Sequence, residues 1–433
     1  MIAEPALEND KAQWSFIKKY CFRFFLILFV LFITFNNNGA FPFFEVLVRY
    51  PIELMHRFIP WFSANVVGYE YDYTIFTNGS GDTSYDYVLL LFSTLVSLIG
   101  AAIWSAIDYK RKNYAKLYYW LLVLVRCYVA FTLISYGMFK VIKLQFPSPY
   151  LTRLTQAYGD SSPMGLAWTF LGYSKGYNIF MGIIEVSAVL LLFRRTMIIG
   201  AFLSLAASVH VMSMNYFYDV PVKILSTTLV VMCIFILAPY LKKILAFFLT
   251  GNAISLKIIE APVYKKKWMF YALYAFKYLI IIVFGATLIS GLISASKQSG
   301  EAAVKPPLYG LYEIERFTLN NVDLPPLTTD SVRWRELIIQ RIDRARIKAM
   351  NDSTKNVTFT VDTLAKQIKF NDTPTDTTQK SLLKYSLVAG DKMLLNGLIH
   401  KDSVIILLKK VDLKKYKLIN RKFNWVNEYP YNR

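Results

Sequence analysis

The chain has 433 residues, 55% of them hydrophobic, 16% aromatic and only 18% charged, and its mean hydropathy of +0.36 lies above the range of soluble globular domains. That excludes an ordinary water-soluble enzyme. The net charge of +20 would suggest a nucleic-acid partner, but 16 of the 49 basic residues fall in four short segments beside apolar runs, so the charge reads as membrane topology and no nucleic acid is expected.

Crossing a hydrocarbon core of about 30 Å takes roughly 20 helical residues. The first such stretch, Phe16 to Phe35, begins with Lys18 and Lys19 and lacks a small-residue cleavage site before Asn36-Asn37-Asn38, so it reads as a retained anchor. Phe41, Phe44, Val48, Leu54, Phe58, Trp61 and Phe62, interrupted by Pro42, Pro51 and Pro60, predict short helices in a membrane interface, followed by a flexible loop from Glu70 to Asp86. The second span covers Tyr87 to Ile107 and the third Leu117 to Lys140. Arg126 lies roughly 13 Å into the third, too deep to reach water easily, and shares a helical face with Ala130, Leu133, Gly137 and Lys140. The Pro-rich segment Leu144 to Gly176 is expected to cap the mouth of the bundle.

The fourth span, Tyr177 to Phe193, carries Glu185 on a face with Asn178, Gly182 and Ala188, which predicts an inward orientation with a basic partner, Arg126 or Lys140. Met197 to Asn215 follows with His210 and Asn215 near its end. The turn Tyr216, Phe217, Tyr218, Asp219, Val220, Pro221, Val222, Lys223 then leads to spans at Ile224 to Leu241 and Trp268 to Ala295. Arg126, Lys140, Glu185, His210, Asn215, Tyr216, Tyr218, Asp219 and Lys223 form the candidate pocket, and the three cysteines and three histidines predict no metal site.

Seven spans with Lys11, Lys18, Lys19, Arg23, Lys110 to Lys112, Lys116, Arg194, Arg195 and a run from Lys242 to Lys267 (Lys257 and Lys265 among them) on one side predict a cytoplasmic N-terminus and an exported C-terminal region, in a bacterial inner membrane with that region periplasmic or extracellular. From Lys305-Pro306-Pro307 onward short alternating segments replace long apolar runs. Glu313 to Leu319, Arg333 to Arg341, Ala345 to Met350, Val357 to Val361, Gln367 to Phe370, Leu382 to Leu387, Met393 to Leu398 and Val404 to Val411 predict eight strands, separated by turn signals such as Asn351-Asp352, Asn371-Asp372, Gly390-Asp391 and Lys401-Asp402. Such a series implies an all-β barrel or sandwich, which carries more basic than acidic residues. Sequons at Asn78, Asn351 and Asn356 fall on the exported side.

The series Arg126-x10-Gly137-x2-Lys140, then Glu185 in an apolar helix ending Phe193-Arg194-Arg195-Thr196 and Gly200-Ala201, resembles the four-helix DoxX-like membrane family over about Leu117 to Leu241. The expected organisation is therefore an anchor and interfacial loop (1–86), a second span and loop (87–116), a DoxX-like core (117–241), a loop with the last span (242–304) and an exported β domain (305–433). The resemblance implies a membrane subunit of a redox system, in which Arg126, Glu185 and His210 would hold a quinone headgroup and a redox protein would be the partner. The alternative expectation is a non-catalytic platform in the lipid bilayer whose β domain binds an envelope protein or a small apolar ligand. A transporter is the third and weakest reading.

Overall fold

The computed structural model describes residues 13–71, 82–251, 253–256, 259, 266–301, 303–371, 381–421 and 423–431. Lys11, Asn78, Lys257, Lys265, Asp372 and most of the predicted Glu70 to Asp86 loop lie outside them. The chain forms two compact units, one of residues 1–145 and 176–295 and one of residues 146–175 and 296–433.

The first unit is helical. α1 (Phe16–Phe35) starts at Ser15, whose hydroxyl accepts from the Lys18 N–H, and α2 (Phe44–Phe62) runs through Pro51 and Pro60 into a π-turn at Ser63–Val67. A single long amphipathic helix thus replaces the short interfacial helices expected there. α3 (Ser84–Ile107) opens with a Thr83/Asp86 capping box, in which the Asp86 carboxylate accepts from the Thr83 N–H at 2.8 Å. α4 (Ala115–Val141) follows, the most deeply packed of the long helices.

After α5 (Leu151–Leu154) and α6 (Pro163–Tyr173), which belong to the second unit, α7 (Lys175–Val186) continues as a 3₁₀ turn over Ser187–Leu192. α8 (Met197–Phe217), α9 (Lys223–Leu237), α10 (Leu241–Thr250) and α11 (Lys267–Ser299) complete the helices of this unit.

Five of these segments are long and apolar enough to cross a membrane: α3, α4, α7 with its extension, α8 and α11. Two of the seven expected spans differ. The stretch predicted as one span from Ile224 to Leu241 breaks after Leu237, and α10 leaves at 80° to α9, with Pro239 in the break where a ring without an N–H cannot continue the helix. α1 carries Lys18, Lys19 and Arg23 in its first turns, so only Phe24–Phe35 is uncharged, roughly 18 Å of helix.

In the second unit, eight antiparallel strands run up and down: β1 (Gly310–Leu319), β3 (Trp334–Arg341), β4 (Arg344–Ala349), β5 (Thr354–Asp362), β6 (Gln367–Asn371), β7 (Ser381–Val388), β8 (Lys392–Ile399) and β9 (Asp402–Lys410). β2 (Val322–Asp323) folds back on β1 through Asn320 and Asn321, both left-handed at φ 49° and 64°. β1 pairs with both β3 and β9, which closes the sheet into a barrel and rules out the sandwich alternative.

Alternate residues fill the interior, with Trp334 stacked on Phe370 and tilted against Phe317, and Leu337, Leu383 and Met393 fully enclosed. Outside the barrel, Leu151 packs with Leu311, Ile338 and Val411 while its N–H donates to Gln340 Oε1 at 2.9 Å. The Tyr173 hydroxyl donates to the Arg421 carbonyl. Residues 146–175, expected to cap the helical bundle, are therefore grouped with the barrel.

Gly397 in β8 lies so close to β7 that a Cβ there would stand 2.2 Å from the Leu382 carbonyl oxygen. Gly397→Val should lower barrel stability by about 1–3 kcal/mol, the usual cost of overpacking. Pulse proteolysis of the full-length protein in urea checks this; an unchanged midpoint would show that β7 gives way freely.

Candidate functional site

α4 and α7 cross where neither has a side chain. A Cβ on Gly137 would meet the Gly182 carbonyl oxygen at 2.7 Å, and one on Gly182 would meet that of Gly137 at 2.6 Å. Each glycine is followed one turn later by a charged residue on the same face, Lys140 and Glu185, and the close crossing sets these opposite each other. Lys140 Nζ donates to both Glu185 oxygens, at 2.6 and 2.7 Å, with both side chains about 95% removed from the surface. Lys140 also lies over the Tyr136 ring, and Asn178, one helical repeat before Glu185, is fully buried.

Arg126 does not join this pair. Fourteen residues before Lys140, hence roughly 21 Å away along α4, it donates from Nε and Nη2 to the Leu191 carbonyl at 2.7 and 2.5 Å. That carbonyl sits at the end of the 3₁₀ turn, where helix geometry leaves acceptors unpaired and the dipole is negative. Lys277 on α11 does the same to the Leu192 carbonyl at 2.7 Å. Arg126, Lys277, Arg194, Tyr119, Tyr274 and Phe131 are among the residues lining a pocket of about 200 Å³, whose lining includes neither Glu185 nor His210.

The other candidates hold the α8–α9 turn. Asn215 is buried, its side-chain Nδ2 donates to the Val222 carbonyl and its main-chain carbonyl accepts from the Val220 N–H, each at 2.9 Å. Asp219 pairs with Lys223 at 2.8 Å, the Tyr216 hydroxyl meets that of Thr227, and Tyr218 and His210 are exposed on the protein surface. The predicted pocket residues thus divide into a buried ion pair (Lys140, Glu185), a carbonyl-bound arginine (Arg126), a self-contained turn (Asn215, Tyr216, Asp219, Lys223) and two exposed rings.

Two residues outside that set complete the polar framework. Asp82 accepts at 2.9 Å from the Ile224 N–H and so caps α9 from another segment; burial pushes its carboxyl up from the ordinary range, against these N–H donors, which pull it down. Arg23 is buried and donates to Ser105 Oγ, the Asp108 carbonyl and the Tyr114 hydroxyl, which in turn donates to the Asp108 carboxylate. Among the described residues no group of three or more His, Cys, Asp or Glu is placed to hold a metal.

Removing one member of the Lys140–Glu185 pair leaves a buried charge without compensation, whereas replacing both by apolar groups removes the desolvation penalty too. Lys140→Met and Glu185→Leu should each lower stability by roughly 3–5 kcal/mol, and the double variant should recover most of the loss. Thermal unfolding in detergent, with membrane levels measured in parallel, checks this; a double variant as unstable as the sum of the singles would contradict it.

No family model and no solved structure matches the chain. Over 124 residues, 28% of its length, it is 37% identical to the protein printed as "Uncharacterized protein YwoB" of Bacillus subtilis (strain 168), of which the match covers 79%. On that identity and coverage, the chain belongs to the same family as YwoB.

Proposed function

We propose that this chain is a non-catalytic membrane platform of DoxX-like build, whose helical bundle holds an exported β barrel that docks an envelope protein. The observation that carries the reading is the distribution of apolar surface on the barrel. Its interior is filled by its own side chains, which argues against a small apolar ligand, while Leu382, Leu394, Leu398, Ile405 and Leu407 on β7, β8 and β9 are not buried. Leu394 lies opposite Leu407 with Ile405 one outward position further along β9, and the outward pair Leu382 and Leu398 lies beyond the row of Lys384 and Asn396, so apolar and polar residues alternate along this face. It borders a groove of about 380 Å³ that Arg316, Thr318 and Asp323 also line. An apolar patch rimmed by polar residues is what a docking face requires.

The bundle supports the same reading, because Lys140 and Glu185 satisfy each other out of reach of solvent. The Gly137, Lys140 and Glu185 constellation that carries the DoxX-like resemblance is a packed structural unit. The quinone-linked redox reading keeps one support, Arg126 in its pocket, but the acid-base groups it needs, Glu185 and His210, do not line that pocket.

Contacts within each unit support the orientation. Residues 146–175 pack with the barrel, so both belong on one face of the membrane and the chain between them crosses an even number of times. α7, α8 and α11 supply three crossings, and the bent α9–α10 pair supplies the fourth. At the other end, the Trp14 N–H donates to the Lys112 carbonyl and Lys19 Nζ to that of Arg111, which puts the start of α1 beside the α3–α4 turn. The Asp82 N–H donates to the Pro221 carbonyl, which puts the start of α3 beside the α8–α9 turn. These contacts support a crossing by α1 as well, its 20 residues reaching about 30 Å with Lys18, Lys19 and Arg23 at one end, and the positive-inside rule supports a cytoplasmic face bearing Lys18, Lys19, Lys110, Arg111, Lys112, Arg194 and Arg195.

Two experiments test this. Leu364→Cys, at a highly exposed barrel position, should be labelled by a membrane-impermeant maleimide in intact cells above the background of the native cysteines; labelling only after lysis would place the barrel in the cytoplasm. In a complementation assay with membrane levels checked by blotting, Leu394→Asp with Leu407→Asp should abolish function, while Lys140→Met with Glu185→Leu should retain it. The reverse pattern would sink the platform and favour the redox reading.

A further inference from the structure

Within the helical unit one group of charges differs from all others. Arg126, Arg194 and Lys277 line a single pocket of about 200 Å³ whose lining includes no Asp or Glu. They stand near enough to repel one another, and among the described residues none of the three is in an ion pair. Their partners are neutral: Arg126 uses Nε and Nη2 on the Leu191 carbonyl, Lys277 donates to the Leu192 carbonyl, and Arg194 donates to the Tyr274 hydroxyl at 3.2 Å. Arg126 Nη1 has no hydrogen-bond partner among the described residues and is not one of their fully enclosed atoms, so this donor of an otherwise 95% buried residue faces open space. A buried guanidinium with spare donors and two further cations beside it calls for an anion.

The rest of the pocket decides what bears that anion. Val123, Phe131, Ile280 and Ile281 give it an apolar wall, which a free inorganic ion would not use. The wall is shared with α11, a 33-residue helix that buries only Phe284 and Leu292 and touches α4 through the Phe131–Phe284 ring stack at 4.3 Å. The cations stand level with the end of the 3₁₀ turn that leads into the α7–α8 connection, since two of them bond to its carbonyls, so Arg126, although eleven residues into α4, lies nearer the headgroup layer than its expected depth. A neutral quinone would leave three positive charges uncompensated.

We propose that this pocket holds an anionic phospholipid, with the phosphodiester among Arg126, Arg194 and Lys277 and an acyl chain along Phe131, Ile280 and Ile281. This rests on the helices lying in a bilayer and is independent of the docking role of the barrel.

The test reconstitutes the full-length protein in nanodiscs of equimolar dioleoyl phosphatidylglycerol and dioleoyl phosphatidylcholine and identifies retained lipid by native mass spectrometry. Retained phosphatidylglycerol should exceed phosphatidylcholine by on the order of tenfold, as expected for two or three desolvated cations. Arg194→Gln and Lys277→Met, at half-buried positions that leave Arg126 in place, should each cut that ratio several-fold. Lys18→Met, an exposed lysine beside Trp14, should leave it unchanged. Excess inorganic phosphate or added quinone should not displace the lipid. Equal retention of the two lipids by the unsubstituted protein overturns the proposal whether or not the variants fold. So does an equal loss in Lys18→Met, which would mean general surface attraction, and so does displacement by phosphate or by quinone.

Discussion

The contact between Gly137 and Gly182 is the constraint on which the helical unit depends. Two helices bring their backbones together only where neither carries a Cβ, and here each glycine's missing Cβ would overlap the other's carbonyl oxygen. The approach does more than save volume. Lys140 and Glu185 sit one turn beyond the crossing, and a bidentate contact at 2.6 and 2.7 Å needs the helices this close. Burying two opposite charges costs several kcal/mol each unless the geometry is good, so the glycines make the ion pair tolerable and the ion pair fixes the register of the glycines. Gly200 repeats the device further along, where a Cβ would stand 2.8 Å from the Leu191 N–H nitrogen and hold α8 against the turn that α4 also grips through Arg126.

Much of this was legible in the sequence, for reasons that differ by element. The eight barrel strands follow from period-two alternation, and their ends shift by three residues or fewer because alternation marks the middle of a strand better than its ends. β2 escaped because two residues carry no periodicity. Glu185 and Lys140 were legible because an ionisable residue in an apolar helix is costly enough to demand a partner. Arg126 was assigned to the same group, yet its acceptor is a main-chain carbonyl released where the helix tightens into a 3₁₀ turn, and no side chain announces that. Arg23 read as one more topology charge at the start of a span, whereas it is enclosed by Ser105, Tyr114 and Asp108. The bend at Pro239 was visible as a proline but not as an 80° turn, since hydropathy is blind to direction.

The grouping of residues 146–175 with the barrel has a consequence for how the chain is built. These two pieces are separated in sequence by four helical segments with apolar cores, yet Leu151 completes an apolar cluster with Leu311, Ile338 and Val411 on the outside of the barrel. Ile338 and Leu311 belong to β3 and β1, whose outward faces would otherwise expose them to water. The barrel therefore has two kinds of outer surface: one covered by the chain's own loop, and one on β7 to β9 where comparable apolar residues stay uncovered. The physical chemistry of the two is the same, which is why the uncovered face is the one proposed for docking.

The charges of the helical unit sort in the same way. Lys140 is compensated directly by Glu185, and Arg23 through Tyr114 by Asp108, so each of these buried cations has an acid within its own network. Around Arg126 and its neighbours the compensation comes from neutral dipoles, two carbonyls and the Tyr274 hydroxyl. A carbonyl at a helix end supplies a fraction of a charge, about half for a whole terminus, and one terminus faces both Arg126 and Lys277 with Arg194 beside them. Dipoles orient those cations without cancelling them. The helical unit is thus electrostatically closed at the Gly137–Gly182 crossing and open at the α7–α8 turn, and α11, the helix that walls the open site, is the one with the fewest buried side chains for its length.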